Sequence, residues 1–396
     1  MGNFSFASAD ARVRIFASST SWIEGTAVRQ LEQLAERPGV LAVAGMPDLH
    51  PGHHGPVGCA AEADGIVHPD VIGTDIGCGM QFWLLDLVEH RLRIDKAAER
   101  LATLEGPWDG DVATLLAQEG IDGCGFAESL GTVGGGNHFC ELQTVAEIVD
   151  PVAAERAGLR AGSLALLVHS GSRGLGATVL ARHYTRGTDG LALDEGGREY
   201  LAEHDNAVRF ASLNRRVIAG RAMRALRTEG KMLADIPHNF VQVLESQVLE
   251  SQVLESQVLG SRVLHRKGAA PADQGLVPVP GSRGAMTYFV EPLPSPDGAL
   301  RSIAHGAGRK HDRASMDKRV RRKASDLARL ERNPFGGYVL CSDRRLLIEE
   351  APSAYKDIRK VVDDLTMNEM GRPVAIMRPI VTFKTVHRRE RGGHRG

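Results

Sequence analysis

The apolar positions of this chain follow two spacings, and each spacing predicts a different kind of element. Spacing of three and four residues predicts amphipathic helices, which we place at 26–39, 94–106, 193–231 and, with many charges, 312–332. Short continuous apolar runs predict buried strands, which we place within 40–58, 80–87, 163–176, 299–309 and 372–386. Several strand candidates lead directly into loops rich in histidine and glycine, so the polar chemistry lies at strand ends.

The order of these elements predicts an α+β fold. Helices and strands are mixed without regular βα alternation, and no stretch rich in proline or serine divides the chain. Hydrophobic residues make up 42% of the sequence, which is enough to bury a sizeable core. We therefore predict one interlocked domain over 1–396.

Two segments depart from this pattern. The stretch "VLESQVLESQVLESQVLGSRVL" at 243–264 repeats with a period of five, which fits neither a helix nor a strand. We favour a slipped duplication that enlarges a surface connection, because longer loops cost little free energy. The alternative is a hairpin or helix that binds a partner. The stretch "HRRERGGHRG" at 387–396 predicts a basic tail.

Charge and cysteine content narrow the classes of protein. Lys and Arg number 48 against 49 Asp and Glu, so no overall basicity indicates a nucleic-acid partner, although a neutral total can hide a local basic groove. The five cysteines are too few for a secreted disulfide framework, and they are Cys59, Cys78, Cys124, Cys140 and Cys341. No stretch approaches the ~20 apolar residues of a membrane span, and the first residues lack a signal-peptide core. We expect a cytoplasmic protein.

The candidate chemistry begins with "VIGTDIGCGM" at 71–80, where Asp75 and Cys78 lie among three glycines. Four histidines also adjoin apolar or glycine-rich stretches, and they are His138, His169, His238 and His305. Carboxylate, thiolate and imidazole groups bind metals, and a thiolate can bridge two cations. The loops "GGGN", "GSRG" and "HGAGR" would let backbone N–H groups approach an anion. Together these features favour phosphoryl or nucleotidyl transfer. The residue types alone leave structural histidines and ordinary turns equally open.

Two further clusters each have two interpretations. In "HPGHHG", the residues His50, His53 and His54 could form a competing metal site. Their spacing fits no standard ligand set, so we favour a loop that faces a phosphate-rich cleft. The basic residues within 318–323 could hold RNA, or they could form a solvated helix face.

The motifs occur in a characteristic order along the chain: "DLHPG", "DIGCGM", "GGGNHF.E", "HSGSRG", "HN", "RKGA", "PGS", "HGAGR" and a lysine near the C-terminus. In this order they resemble the RtcB family of RNA-splicing ligases, over nearly the whole chain. The resemblance implies a single RtcB-like domain, with central β-sheets flanked by helices and a metal and GTP cleft formed by strand-end loops. It also implies an enzyme that joins an RNA 3′-phosphate or 2′,3′-cyclic phosphate to a 5′-hydroxyl with GTP and Mn²⁺, in RNA repair or tRNA splicing.

The resemblance also implies a role for each matching residue. Two Mn²⁺ ions, bridged by the thiolate, would be held by Asp75, Cys78, His138, His169 and His238. The nucleophile that takes GMP as a phosphoramidate would be His305. The guanylate pocket would comprise Asn137, His138, Phe139, Cys140, Glu141, His238, Asn239, Pro280, Gly281, Ser282, Arg283, Thr287, His305, Gly306, Ala307, Gly308, Tyr355 and Lys384.

The chemistry of these residue types agrees with most of the implied roles. The Glu141 carboxylate could accept two N–H bonds from the Watson–Crick edge of guanine, where adenine presents an acceptor. Lys384 would place a cation near the guanine carbonyl or a phosphate. A thiolate is a soft ligand, so the residue types also admit Zn²⁺ or Co²⁺, and the choice of Mn²⁺ rests on the resemblance.

The sequence departs from the family pattern at a few positions. His53-His54-Gly55 stands where Lys-Gly is common, Arg283 where Met is frequent, and His265 precedes the Arg-Lys pair. Two alternatives stay open: a catalytically silent RNA-binding member, motivated by the change to His53-His54 and by the repeat, and a metal-dependent cyclic phosphodiesterase without guanylylation. We expect RNA as the partner, no membrane, and a monomer. The start "STSWIEGTAVRQLE" resembles the short branch associated with a peptide-release-factor homologue.

Overall fold

A computed structural model describes residues 10–184, 189–244, 261–320 and 324–384. The strands are β1 (Val13–Ile15), β2 (Val40–His50), β3 (Val57–Asp64), β4 (Ile66–Val67), β5 (Gly79–Val88), β6 (Phe139–Ile148), β7 (Ser163–Ser170), β8 (Leu191–Ala192), β9 (Gly230–Pro237), β10 (Asn239–Leu244), β11 (Arg262–Lys267), β12 (Ala269–Pro271), β13 (Val277–Pro280), β14 (Thr287–Pro292), β15 (Ser302–Ala304), β16 (Tyr338–Leu340) and β17 (Gly371–Phe383). The helices are α1 (Gly25–Ala35), α2 (Pro69–Ile72), α3 (Ile94–Leu101), α4 (Val112–Gln118), α5 (Pro151–Ala157), α6 (Gly174–His183), α7 (Glu195–Leu226), α8 (Arg313–Arg319), α9 (Ala324–Leu330), α10 (Arg344–Glu349) and α11 (Ile358–Met367).

The largest sheet has the strand order β13-β14-β17-β6-β7-β5-β9, with β16 paired to β17. Neighbours along this order are antiparallel, so the starts of β5, β6 and β14 meet the ends of β7, β9, β13 and β17 at one edge. This edge carries or directly adjoins Cys78, His138, His169, His238, Pro280, Thr287 and Lys384. Side chains that are far apart in sequence therefore meet at one end of the sheet.

A second sheet, of order β1-β2-β3-β11-β10, positions the remaining site segment. Strand β11 leads through Gly268 into β12, which pairs antiparallel with β15. Strand β15 ends immediately before His305, and β2 carries Asp48 beside it. The pairing of β12 with β15 therefore brings His305 to the same region as the edge of the large sheet.

The long helix α7 packs against strands β5, β7, β9 and β10. Its buried face includes Tyr200 and Phe210, both fully buried. The turn before β5 lies directly on this helix, where a Cβ atom on Gly77 would be 2.8 Å from Cβ of Ala211. Gly77 also has φ +74°, a conformation that side chains other than glycine rarely adopt. Glycine is therefore required for the close approach of this turn to α7.

The fold is α+β, as predicted, and most predicted elements are present with small changes in their bounds. The prediction of one helix over 312–332 is wrong, because α8 ends at Arg319 and Val320 is extended. Helices α8 and α10 instead fold over a small apolar cluster formed by Met316, Ile348, Ala351 and Ala354, with Val320 and Leu327 packed against it. The run 372–386 forms one long strand, β17, through Phe383.

Three predictions fall wholly or partly outside the described residues. They concern residues 245–260 of the repeat, the basic residues 321–323 and the tail 387–396. In the part of the chain that is described, no helix is both long enough and apolar enough to cross a membrane.

Candidate functional site

Five side chains of types that can bind metals form a continuous series of close contacts at the edge of the large sheet. Sγ of Cys78 lies 3.3 Å from Nε2 of His138 and 3.2 Å from Nε2 of His169. The series extends on both sides: Oδ2 of Asp75 is 3.2 Å from Nε2 of His138, and Nε2 of His238 is 3.2 Å from Nε2 of His169. The geometry therefore brings together all five residues predicted as ligands, with Cys78 between two histidines.

The local backbone fixes this series. The N–H of His238 donates to the carbonyl of Cys78 at 2.8 Å, and the N–H of Gly77 donates to the carbonyl of Asn239 at 2.8 Å. Register places His169 opposite Met80 on one side and Phe139 on the other. The hydrogen bonds of the sheet thus set the separation of these side chains, which come from different strands.

Burial keeps the imidazoles in the form that binds metals. It lowers the pKa of His169 and of His238 well below the usual value, and neighbouring histidines act in the same direction. Burial alone would raise the pKa of Asp75, but contact with His138 outweighs it and the pKa falls below its usual range. Burial and then the charge of Asp75 raise the pKa of Cys78. A bound cation reverses that last effect, because coordination deprotonates a thiol.

This donor set fits a divalent cation. Ligand atoms of Cys78, His138 and His169 all lie within 4.8 Å of one another, and all three residues are buried. A thiol, neutral imidazoles and an ionised carboxylate offer sulfur, nitrogen and oxygen donors at one point. Asp75 and His238 extend this set of donors at its two ends.

His305 lies beside the series. Its ring centroid is 4.5 Å from that of His238, and its Nδ1 atom lies 2.7 Å from Oδ2 of Asp48. Asp48 is fully buried, and neither of these atoms has an aligned hydrogen-bond partner. A carboxylate at Nδ1 favours the tautomer that carries its proton there and leaves the Nε2 lone pair free.

A cavity of about 690 Å³ opens in front of these residues. Most of the predicted guanylate residues line it, namely Asn137, Phe139, Glu141, His238, Asn239, Pro280, Gly281, Ser282, Arg283, His305, Gly306, Ala307, Gly308, Tyr355 and Lys384. The amide of Asn239 is also structural, because it donates to the carbonyl of Asp75 and accepts from the N–H of Gly268. Its side chain therefore connects the metal-ligand turn to the segment before His305.

Three of the predicted pocket residues do not line the cavity. His138 belongs instead to the ligand series, as described above. Cys140 is fully buried in the apolar core that includes Leu142 and Leu166, and burial raises its pKa to about 12. Thr287 lies behind the cavity, where its hydroxyl accepts from the amide of Gln143 at 2.8 Å.

Glu141 is buried at the wall of the cavity. Its carboxylate accepts from the amide of Gln143 at 2.7 Å and from the hydroxyl of Thr382. Burial raises the pKa of Glu141 to about 7, although these donors and the charge of Lys384 oppose the shift. This carboxyl group therefore changes charge near neutral pH.

A second buried carboxylate, Glu350, organises the basic side of the cavity. It lies 3.1 Å from Nη1 of Arg309 and 3.1 Å from Nε of Arg313, and Tyr355 donates its hydroxyl to it. Burial raises its pKa, but Lys384 and the two arginines outweigh burial and bring it to about 2. The amine of Lys384 donates to the carbonyls of Gly136 and His138 at 2.8 and 3.0 Å, and burial lowers its pKa to about 8.

The histidines of "HPGHHG" lie at the cavity. Nδ1 of His50 is 2.9 Å from the carbonyl of Asp48, and Nδ1 of His53 is 3.3 Å from Nε2 of His54. All three line the cavity together with Lys267, whose amine donates to the carbonyl of Ile72. This placement agrees with the favoured interpretation, a loop that faces the cleft.

Sequence reasoning missed several residues of this site. Asp48 and Lys267 lie inside the motifs "DLHPG" and "RKGA", so their position in a motif was a usable signal. Glu350 follows an ordinary charged helix, α10, and its contacts with Arg309 and Arg313 depend on the folding of α8 and α10 together. Nothing in the local pattern around Glu350 marks it as part of a cavity.

Comparison with known proteins adds a family assignment. The model of the family described as tRNA-splicing ligase RtcB matches residues 30–107 and 124–385. The chain is 41% identical to the RNA-splicing ligase RtcB2 of Escherichia coli over 97% of this chain and 98% of that protein. It is 28% identical to the RNA-splicing ligase RtcB of Mycobacterium tuberculosis, over 90% of this chain and 100% of that protein. It is also 28% identical to the tRNA-splicing ligase RtcB of Aeropyrum pernix, over 86% of this chain and 87% of that protein.

Proposed function

This chain belongs to the RtcB family of RNA-splicing ligases, and on that premise we propose that it is a GTP-dependent RNA ligase. Its substrates are an RNA end with a 3′-phosphate or 2′,3′-cyclic phosphate and a second end with a 5′-hydroxyl. The reaction serves tRNA splicing or the repair of broken RNA. The observation that carries the proposal is the placement of His305 directly beside the series of five ligand side chains.

The first step is transfer of GMP to the protein. The Nε2 lone pair of His305 attacks the α-phosphorus of GTP, a phosphorus–nitrogen bond forms, and the bond to pyrophosphate breaks. Asp48 orients the ring and stabilises the proton on Nδ1, from 2.7 Å away. The resemblance of the motifs, which implies GTP and a histidine nucleophile, supports this step, together with the cavity that adjoins His305.

Two further transfers complete the reaction. The RNA 3′-phosphate attacks the GMP phosphorus, which restores His305 and leaves a guanylylated RNA end. The 5′-hydroxyl of the other strand then attacks the RNA 3′-phosphate, and GMP leaves as the new phosphodiester forms. A cyclic phosphate is first opened by water to give the 3′-phosphate.

Two Mn²⁺ ions would be held by this series of donors, Asp75, Cys78, His138, His169 and His238. When bound, such cations polarise phosphoryl oxygens and offset the charge that develops during transfer. Asp75, Cys78 and His138 would hold one ion, and Cys78, His169 and His238 would hold the other. The neutral state that burial imposes on His169 and His238 supports this assignment.

Guanine is selected by Glu141 at the buried wall of the cavity, with Tyr355 and Lys384 nearby. In its ionised form Glu141 accepts from two N–H groups of the guanine Watson–Crick edge. Tyr355 offers an aromatic face to the base, and Lys384 offers a cation within the same cavity. An adenine in this position would meet acceptor with acceptor, so GTP is favoured over ATP.

A ligation assay with controlled omissions tests this proposal. An RNA nick with 3′-phosphate and 5′-hydroxyl ends is incubated with the protein, Mn²⁺ and GTP, and then without GTP. We expect joined product only when GTP is present. RNA binding without product would support the silent RNA-binding alternative, and opening of a cyclic phosphate with no GTP requirement and no joining would support the phosphodiesterase alternative. A functional link to a peptide-release-factor homologue rests on the resemblance of 19–32 alone.

A further inference from the structure

Arg215 lies on α7 and is fully buried, and among the described residues no other arginine of this helix is. It lies directly behind the turn that carries Cys78, and a Cβ atom on Gly79 would be 3.1 Å from its Cζ atom. The reaction proposed above gives this residue no role. Burial of a charged group is costly unless its surroundings compensate it, so the contacts of Arg215 indicate what its presence achieves.

Arg215 joins two strands of the large sheet at the metal-ligand end. Its Nη1 atom donates to the carbonyl of Gly77 at 2.7 Å and to the carbonyl of Ser170 at 3.0 Å. Gly77 immediately precedes Cys78, and Ser170 immediately follows His169. One nitrogen atom therefore holds the main chain next to two ligands that come from different strands.

The opposite side of the guanidinium group is held by a carboxylate. Nε of Arg215 donates to Oδ1 of Asp235 at 2.9 Å, and Nη2 lies 2.7 Å from the same oxygen. Asp235 also accepts from the hydroxyl of Ser212 and from the amide of Gln81 at 2.9 Å. These contacts fix the guanidinium plane, so the direction in which Nη1 points is not free to vary.

The preceding residue on α7 acts on the same loops. The amide of Asn214 donates to the hydroxyl of Ser170 at 3.0 Å and to the carbonyl of Gly171 at 3.3 Å, and it accepts from the N–H of Gly131 at 2.7 Å. Asn214 thus connects the end of β7 with the loop that leads to His138. The buried face of α7 therefore contacts the main chain next to two ligands, Cys78 and His169, whereas Gly131 lies seven residues before His138.

A buried ion pair is weak evidence for stability, because well-packed apolar residues of similar volume often serve as well. A planar guanidinium group differs from them, since its fixed fork can bind several acceptors in one plane. Residues that orient the ligands of a metal typically change metal affinity by about 10- to 100-fold when they are replaced. The contacts of Arg215 are those of such a residue.

We propose that Arg215, held by Asp235, is a positioning residue that sets the separation of Cys78 and His169 and thereby the affinity of the centre for divalent cations. The proposal rests on the metal centre of the proposed function. Arg215 contacts neither a ligand atom nor a substrate, and it acts through the two carbonyl groups that adjoin the ligands.

The test measures Co²⁺ binding by competition with a chelator, together with the thiolate-to-cobalt absorption band. The main variant is Arg215→Met combined with Asp235→Asn, which removes both buried charges at once. A second variant, Arg215→Lys, keeps the charge and loses the fork. The matched control is Arg221→Met, since Arg221 lies on the same helix and also donates to two carbonyls, those of Gly106 and Gly131.

We expect Co²⁺ affinity to fall about 10- to 100-fold in both Arg215 variants, with a shifted or weakened absorption band, and to change less than about threefold in the control. Thermal unfolding of each metal-free protein is measured alongside. If the double variant does not fold, the same fall in Co²⁺ affinity is required of Arg215→Lys. Wild-type affinity in a folded Arg215 variant overturns the inference and leaves the proposed function intact. The inference is also overturned if Co²⁺ affinity falls equally in the Arg215 variants and in the Arg221 control, in step with a loss of thermal stability. Failure of the wild-type protein to bind Co²⁺ or Mn²⁺ overturns the inference and the metal centre together.

Discussion

Glu141 and Glu350 show how two buried carboxylates in one cavity acquire different charges. Burial raises the pKa of Glu350, but the charges of Lys384 and of two arginines outweigh burial and bring the pKa to about 2. Glu141 faces a hydroxyl and an amide, which compensate burial only in part, so its pKa is about 7. Glu350 is thus ionised throughout the physiological range, whereas Glu141 changes its protonation there.

This difference predicts pH-dependent binding of guanine nucleotides. The pKa of Glu141 is raised, so the carboxyl group is protonated below about pH 7 and then offers fewer acceptors to the guanine edge. Affinity for guanosine, which has the same base edge and no titrating phosphate, should therefore rise by up to about tenfold per pH unit from about pH 5.5 and level off above the pKa. Isothermal titration calorimetry across this range measures it.

The matched control for this prediction is Glu141→Gln, which has the same shape and cannot ionise. Its affinity for guanosine should be lower than that of wild type above pH 7 and should lack the rise. A wild-type affinity that is flat across the range would contradict the assigned role of Glu141.

We expect Asp48 to assist His305 in the transfer of GMP. The fully buried carboxylate lies 2.7 Å from Nδ1 of His305, so Asp48→Asn keeps the shape and removes the charge that favours the reactive tautomer. We expect the rate of GMP transfer to His305 to fall by about 10²-fold or more, with little change in GMP affinity. Single-turnover labelling with GTP measures the rate, and an unchanged rate would show that Asp48 does not assist His305.

At the level of elements, the contact of the β5 turn with α7 places the ligands. Gly77→Ala would bring a Cβ atom within 2.8 Å of Ala211 and 2.9 Å of Val208, at φ +74°. We expect a loss of about 2 kcal/mol or more in the free energy of unfolding, and a lower affinity for divalent cations because Cys78 is displaced. The control Gly220→Ala lies within α7 in open space, so it should be neutral or stabilise by up to about 1 kcal/mol. Equal stability of the two variants, measured by chemical denaturation, would contradict this account of the turn.

We expect the loop between β2 and β3 to contact the phosphate groups of the RNA. His53 and His54 line the cavity, and histidine carries less positive charge than lysine at neutral pH. Burial, followed by the charges of His53 and Lys267, also lowers the pKa of His54. His53→Lys should therefore tighten binding of a 3′-phosphorylated RNA at pH 7.5, with His53→Gln as the neutral control.

The salt dependence of RNA binding shows whether the lysine in His53→Lys contacts a phosphate. One added phosphate contact should steepen the slope of log affinity against log salt by about 0.7 for a single strand. Binding titrations at several salt concentrations measure the slope. A slope equal in wild type and His53→Lys would mean that this loop does not contact the RNA backbone.

Much of this architecture could be predicted from the sequence, and the exceptions have physical causes. The long helix α7 and strands β5 and β7 were predicted because their apolar spacing is strong and their ends are marked by glycine or polar residues. The single helix over 312–332 was wrong because charge and propensity do not reveal that Val320 is extended while α8 packs over the apolar cluster around Met316. Tertiary packing determines where α8 ends, and the local sequence does not indicate this end.

At the level of the whole molecule, the centre depends on contacts between distant segments. Asp75, Cys78, His138, His169 and His238 come from the edges of four neighbouring strands, and spacing along the chain says nothing about their 3.2–3.3 Å separations. The residue types alone left a metal site about as favoured as structural histidines, and the ordered motifs were needed to choose. The contributions of Asp48, Arg215 and Glu350 depend on pairing and burial, which follow only from the folded chain.

Transfer of GMP to His305 tests the central claim most directly. The protein is incubated with Mn²⁺ and GTP labelled at the α-phosphate, and the labelled peptide is then identified by mass spectrometry. We predict a label on the peptide that contains His305, lost on treatment with acid as expected of a phosphoramidate, and no label in His305→Ala. A label of equal extent in wild type and His305→Ala, or no label in a wild-type protein that has bound Mn²⁺, would contradict the account.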